Sequence, residues 1–120
     1  MKVTISKMFD FDAAHWLPNV EDGHKCKRLH GHTYRVEVGC SGEIDHRGMV
    51  CDYAEIAAAW KPIEARLDHY CLNDVEGLEN PTTEVLAPWI MARLAEVLPQ
   101  LAFVRVYESA TTWCEVRRSA

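Results

Sequence analysis

The sequence lacks the marks of several protein classes. No apolar run approaches the roughly 20 residues that a membrane-spanning helix needs. The opening stretch, MKVTISKMFDFDAAH, is broken by charges and has no apolar core after Lys2, so it does not read as a secretory leader. There is no low-complexity segment, no linker and no repeat at solenoid period. A positive balance is missing too. The formal net charge of −5 argues against general affinity for nucleic acid or for an anionic membrane. Cysteine is present five times, an odd number, and without a CxxC pair or the spacing of a secreted disulfide framework. Reduced thiols and a cytoplasmic setting are the expectation. What remains is a chain of 120 residues, 48% hydrophobic and 26% charged, which places it among globular rather than disordered sequences. That length suits one domain, residues 1–120, with one modest core.

Apolar periodicity divides the chain. Val3, Ile5, Phe9, Phe11 and Ala13 share one parity and Asp10 and Asp12 the other, so residues 3–15 read as a strand with His15 at its end. Residues 16–28, with Pro18, Asn19, Asp22 and Gly23, read as a loop. Tyr34, Val36, Val38 and Cys40 then mark one face of a second strand over 29–41. Asp52, with Glu55 three places on, is a capping-box start. Ile56, Ala57, Trp60, Ile63 and Leu67 follow at helical spacing, with Pro62 predicting a kink or a broken turn. Asn80-Pro81 suits a helix cap followed by proline at the first helical position, and Val85, Leu86, Trp89, Ile90 and Leu94 carry the helix on to Pro99. Val104, Val106 and Glu108 share the parity of a third strand, and residues 111–118 alternate as a fourth. The order ββααββ segregates strands from helices, which predicts an α+β fold: a four-stranded, mostly antiparallel sheet with two helices on one face. Apolar and aromatic residues on the other face predict a partner subunit.

The densest chemistry lies in HKCKRLHGH, residues 24–32. His30 and His32 are two apart in a predicted strand, so their side chains share a face. An antiparallel hairpin of the first two strands brings His15, at the end of one, beside the start of the other. Three neutral imidazoles around a zinc ion leave one position open, which is the catalytic arrangement. His24 and His46 fall in loops and read as solvated. Lys25, Lys27 and Arg28 flank Cys26, and cations beside a thiol favour its thiolate, which can act as base or nucleophile. The other four cysteines read as packing. The three cations are either a solvated charged loop or a local site for a polyanion such as a phosphate. Asp68 and His69 close the first helix, either as a catalytic pair or as a simple dipole contact. Glu108 sits at an apolar parity. It is either an edge charge or the acceptor for a ligand with two parallel N–H donors, such as a guanine-like ring edge.

The stretches FDAAHWLP (11–18), CKRLHGH (26–32), DYAEI (52–56), LDHYCLND (67–74) and ENPTTEVLA (79–87), with Glu108, resemble the 6-pyruvoyl-tetrahydropterin synthase family over nearly the whole chain. The short CxxxHGH gap resembles its bacterial 6-carboxy-tetrahydropterin synthase branch most closely. The resemblance implies zinc on His15, His30 and His32, a catalytic thiol at Cys26, a catalytic pair at Asp68 and His69, and a pterin anchor at Glu108. It implies the tunnelling fold (T-fold), in which subunits join their sheets into an oligomeric barrel, commonly a homohexamer built as a dimer of trimers. Active sites then lie at subunit interfaces, so Cys26 and His69 of one site would come from different chains. The implied reaction converts 7,8-dihydroneopterin triphosphate to 6-carboxy-5,6,7,8-tetrahydropterin, acetaldehyde and triphosphate, on the route to queuosine. Lys25, Lys27 and Arg28 would steer the triphosphate, an expectation from charge alone. Two alternatives stand beside this one: the same site stopping at 6-pyruvoyl-tetrahydropterin, and a non-catalytic zinc- or pterin-binding module.

Overall fold

The computed structural model describes residues 1–119. Four strands, β1 (Val3–His15), β2 (His30–Gly42), β3 (Leu101–Tyr107) and β4 (Trp113–Arg117), form one antiparallel sheet in the order β1-β2-β3-β4. Two helices, α1 (Tyr53–Leu67) and α2 (Thr83–Ala95), lie between β2 and β3 in the chain. The expected α+β order and sheet are therefore present, with strand ends shifted by a residue or two. Among the described residues no helix is long and apolar enough to cross a membrane.

The inward parity of the sheet is the core. Phe11, Tyr34, Val36, Val38, Cys40, Val104 and Val106 are all buried there. Phe9 stacks on Trp60 of α1 with ring centroids 5.1 Å apart, and Phe11 stacks on Tyr34 at 5.0 Å. Such pairs add about 0.5–1.5 kcal/mol each beyond the area they bury. Ile56, Trp60, Ile63 and Leu67 form the buried stripe of α1. Asp52 caps this helix as expected. Its side chain accepts from the backbone N–H of Ala54 at 2.8 Å, and Glu55 reaches back to the Asp52 N–H at 3.3 Å.

The broken turn allowed for at Pro62 is absent, and the expected cap of α2 needs correction. Pro62 does not break α1, which continues through it. The carbonyl that proline leaves without a donor belongs to Ala58, an exposed residue open to water. The cap of α2 is Thr82 rather than Asn80: its hydroxyl accepts from the Val85 N–H at 3.2 Å. Starting the helix after Pro81 leaves the Pro81 carbonyl outside it, where it accepts from His15.

The outward face carries an ionic row, with Arg105 bonded to Glu115 at 2.6 Å and to Glu37 at 3.3 Å. Trp113 and Met8 stand exposed on it. The β1–β2 ladder runs the full 13 residues of each strand, whereas β3 pairs with β2 only from Arg35 to Cys40. The sheet is thus two strands wide at the His15 end, and β3 stops just short of it.

Trp60→Ala removes the ring that both phenylalanines pack against and is expected to cost about 3–5 kcal/mol of folding stability. Asp52→Ala is expected to cost about 1 kcal/mol. Urea unfolding reads both, and a Trp60→Ala midpoint no lower than that of Asp52→Ala would contradict this account of the core.

Candidate metal centre and active site

The hairpin register builds the cluster. His15 pairs directly with His30, and Ala13 with His32. Side chains at these positions share the inward face, so three imidazoles meet at the end of the core. Their ring centroids lie 4.6, 4.9 and 5.0 Å apart. His15 is 1% exposed, the one buried polar side chain among the described residues.

Hydrogen bonds fix which nitrogens face inward. The Nδ1 of His15 lies 2.9 Å from the Pro81 carbonyl, with the Tyr34 hydroxyl 3.1 Å away, and the Nδ1 of His30 lies 2.7 Å from the Arg28 carbonyl. A carbonyl only accepts, so each Nδ1 carries the proton and each neutral ring presents a bare lone pair at Nε2. Those two Nε2 atoms lie 3.1 Å apart. Two lone pairs at that distance repel unless a cation stands between them. The Nε2 of His32 is buried and makes no hydrogen bond. Burial lowers the pKa of His15 and of His32, which favours the neutral rings that bind metals. Together with Glu108, the donor atoms of His15, His30 and His32 all lie within 4.8 Å of one another. Four donors at about 2.0–2.2 Å from one ion stand about 3.3–3.6 Å apart, so the residues fit a divalent cation after small adjustments.

Glu108 stands one residue past β3, not inside it. Its Oε1 is 2.8 Å from the Nε2 of His32 and 3.8 Å from that of His15. Burial, and after it the Glu108 carboxylate, pushes the Tyr34 hydroxyl well above its ordinary value, so it stays protonated beside His15.

Cys26 lies outside that cluster, in a single turn over Lys25–Lys27. Its backbone is tied at both ends. Its N–H donates to the Nδ1 of His24 at 3.1 Å, and its carbonyl accepts from the Leu17 N–H at 2.8 Å, two residues beyond His15. His24, read above as a solvated loop residue, thus positions the thiol's backbone. Lys27 bonds Asp22 at 2.7 Å and the Val20 carbonyl at 3.2 Å, while Lys25 and Arg28 are exposed with no ion-pair partner among the described residues.

Asp68 and His69 dock on the free edge of β1. The Asp68 carboxylate accepts from the Asp12 N–H at 3.0 Å, and the His69 N–H donates to the Asp12 carbonyl at 2.6 Å. His69 has φ 66°, the one non-glycine residue in the left-handed region among those described. That turn lets adjacent residues face each other, with the His69 Nδ1 2.9 Å from Asp68 Oδ2. The backbone and His69 hold Asp68 below its ordinary pKa, and Asp68 raises that of His69. The ring opens on a cleft of about 530 Å³ lined by Asp12, Ala13, Ala14, Gly31, His32 and Thr33 and by Tyr70 and Cys71. His69 thus stands at the β1 edge, outside the set of imidazole and Glu108 donor atoms.

One positioning residue escaped the sequence reading. Asn73 donates to the Trp16 carbonyl at 2.8 Å and accepts from the Trp16 N–H at 3.0 Å, so its amide replaces a strand neighbour immediately after His15. Its place in LDHYCLND was the available signal, but nothing in the spacing links it to Trp16.

The ion pair of Asp68 and His69 is complete between its two shifted pKa values. Its stabilising effect falls away as pH rises through the His69 value, and again as pH falls through the Asp68 value. An NMR titration is expected to place His69 above the ordinary 6.5. Asp68→Asn, which keeps an oxygen for the Asp12 N–H, is expected to bring it back down. An unchanged His69 titration in that variant would exclude the contact.

Comparison with known proteins accords with this geometry. A 6-carboxy-5,6,7,8-tetrahydropterin synthase of Synechocystis sp. is 44% identical over 115 residues, covering 90% of this chain and 88% of that one. A dihydroneopterin monophosphate aldolase of Pyrococcus furiosus is 38% identical over 99 residues, covering 82% and 81%. The solved 6-pyruvoyl tetrahydropterin synthase of Caenorhabditis elegans superposes with a TM-score of 0.90 at 28% identity, covering 99% and 97%. The model of the 6-pyruvoyl tetrahydropterin synthase family matches residues 4–119, which takes in both helices and all four strands but for Val3, and the chain belongs to that family.

Proposed function

We propose that the protein is a zinc-dependent lyase that converts 7,8-dihydroneopterin triphosphate and one water to 6-carboxy-5,6,7,8-tetrahydropterin, acetaldehyde and triphosphate, in the cytoplasmic synthesis of queuosine-type 7-deazaguanines. The observation that carries the reading is the pair of Nε2 atoms of His15 and His30 facing each other at 3.1 Å, with the unpartnered Nε2 of His32 beside them. The chemistry of that donor set suits zinc. A bound zinc ion supplies a Lewis acid for the oxygens of the substrate side chain.

The chain's own groups divide the remaining work. Glu108 accepts from the two parallel N–H donors of the pterin ring and sets its register. Cys26 takes a proton from a side-chain carbon and delivers it to a neighbouring one, and the Asp68–His69 pair holds a proton at the His69 ring for the same exchange. Lys25 and Arg28 are free to meet the triphosphate, while Lys27 already holds the loop through Asp22. Because the Asp68–His69 pair stands on the β1 edge and not among the clustered donors, a complete site takes that pair from a second copy. This supports an obligate oligomer, a hexamer of two trimers on the pattern of the T-fold barrel.

The choice of the carboxy product rests on the short gap between Cys26 and His30 and on the shared name of the relatives, Synechocystis sp. first. The Pyrococcus furiosus relative favours a second reading, an aldolase on the monophosphate. Incubation with each phosphorylated dihydroneopterin, followed by mass spectrometry, separates the readings. Acetaldehyde and a carboxy-pterin from the triphosphate are expected. A pyruvoyl-pterin with no aldehyde would replace the first reading with the family's other chemistry, and cleavage of the monophosphate alone would favour the aldolase. Cys26→Ala is expected to lower turnover by at least about a hundredfold with zinc content unchanged. Equal turnover in that variant would remove Cys26 from the chemistry, and no turnover in the wild type would leave only a binding module.

A further inference from the structure

A groove of about 610 Å³ lies between α1 and the end of α2. That volume is in the range of small-molecule sites. Ala58, Ala59 and Pro62 line it from α1, and their short side chains leave the space open. Val97 and Leu98, just past α2, line the other wall. None of its lining residues belongs to the imidazole cluster, the Cys26 turn or the Asp68–His69 pair.

Two cations share one end of the groove. Arg66 and Arg93 both line it, and both guanidiniums lie over the indole of Trp89, 5.1 and 3.5 Å from the ring centroid. Stacking on one ring holds the two like charges close together. Arg93 is also tied to the Trp89 carbonyl at 3.0 Å. Arg47, Arg105 and Arg117 each have a carboxylate within ion-pair distance, but among the described residues Arg66 and Arg93 have none. Glu96 and Glu76 act on Arg93 only from farther off. Burial, and after it the Arg66 charge, lowers the Arg93 pKa from its ordinary value, which marks a place short of negative charge.

The rest of the groove limits what can fill that place. Glu55 lines it about 16 Å along α1 from Arg66. Its carboxylate is occupied by the Asp52 N–H at 3.3 Å and stands 3.7 Å from Arg47, so it does not neutralise the arginines. Glu55 and Glu96 would repel a second negative charge on an occupant. The complementary molecule therefore carries one anionic head and an apolar body. A carboxylate matches the guanidinium fork and relieves the repulsion between the two cations.

We propose that the α1–α2 groove binds a small organic carboxylate, its apolar body along Ala58, Ala59 and Pro62 and its head on Arg66 and Arg93. The site is separate from the metal centre and does not depend on the reaction assigned to it.

The test is calorimetric titration of the whole protein with octanoate and with 1-octanol, its uncharged counterpart. Octanoate is expected to bind saturably and more tightly than octanol. Arg66→Gln is expected to weaken octanoate about 10–100-fold, the worth of a hydrogen bond to a charged group, and to leave octanol unchanged. Ala58→Phe, which fills the groove, is expected to weaken both. Both positions are exposed, and far-UV circular dichroism with sedimentation velocity checks fold and assembly. Equal affinities for octanoate and octanol in the wild type would overturn the proposal, as would the lack of saturable octanoate binding. An unchanged octanoate affinity in folded Arg66→Gln would put the carboxylate elsewhere, such as on the histidines, and overturn it too. A smaller assembly in folded Ala58→Phe would give the groove to a second copy of this chain and overturn the small-molecule reading.

Discussion

The register of the β1–β2 hairpin is the constraint on which the rest depends. Side chains alternate with a period of two, so a slip of one residue would turn every inward group outward. The register that pairs His15 with His30 also pairs Phe11 with Tyr34 and Phe9 with Val36. The core residues and the candidate ligands are therefore fixed by the same ladder. Burying Phe11, Tyr34 and Val36 is what obliges the imidazoles to meet.

That arrangement has an electrostatic cost, and the surrounding structure offsets it. Backbone carbonyls at Pro81 and Arg28 settle the tautomers, and burial lowers the pKa of His15 and of His32, which favours the neutral rings. The outcome is a set of donor atoms within 4.8 Å of one another that could hold a metal ion. The Asp68–His69 pair docks on the edge of the same hairpin, over a cleft whose lining includes Gly31 and His32.

Much of this was legible in the residue pattern. Alternation placed β1 and β2 within a residue of their observed ends, and the HxH spacing with His15 at a strand terminus was enough to bring three rings together. The Asp52 cap was equally plain, because a capping box is local. The errors came where distant groups intervened. Asn80-Pro81 looks like a helix start, but Thr82 supplies the cap and Pro81 gives its carbonyl to a histidine 66 positions away. His24 is exposed in its loop, as its sequence position suggests, and its ring accepts from the Cys26 N–H two residues on. Glu108 was recognisable as an inward carboxylate, yet its distance from His32 depends on where β3 ends relative to β2.

The sequence by itself determined the order of elements, the face each strand buries and the identity of the chemically active side chains. Those follow from local periodicity and from the functional groups themselves. Only the tertiary structure decided which nitrogen of each ring faces inward, that Glu108 joins the imidazoles, and that Asp68 and His69 dock on the edge of β1. Those depend on hydrogen bonds between residues dozens of positions apart, such as Asp12 with Asp68, and no local pattern encodes them.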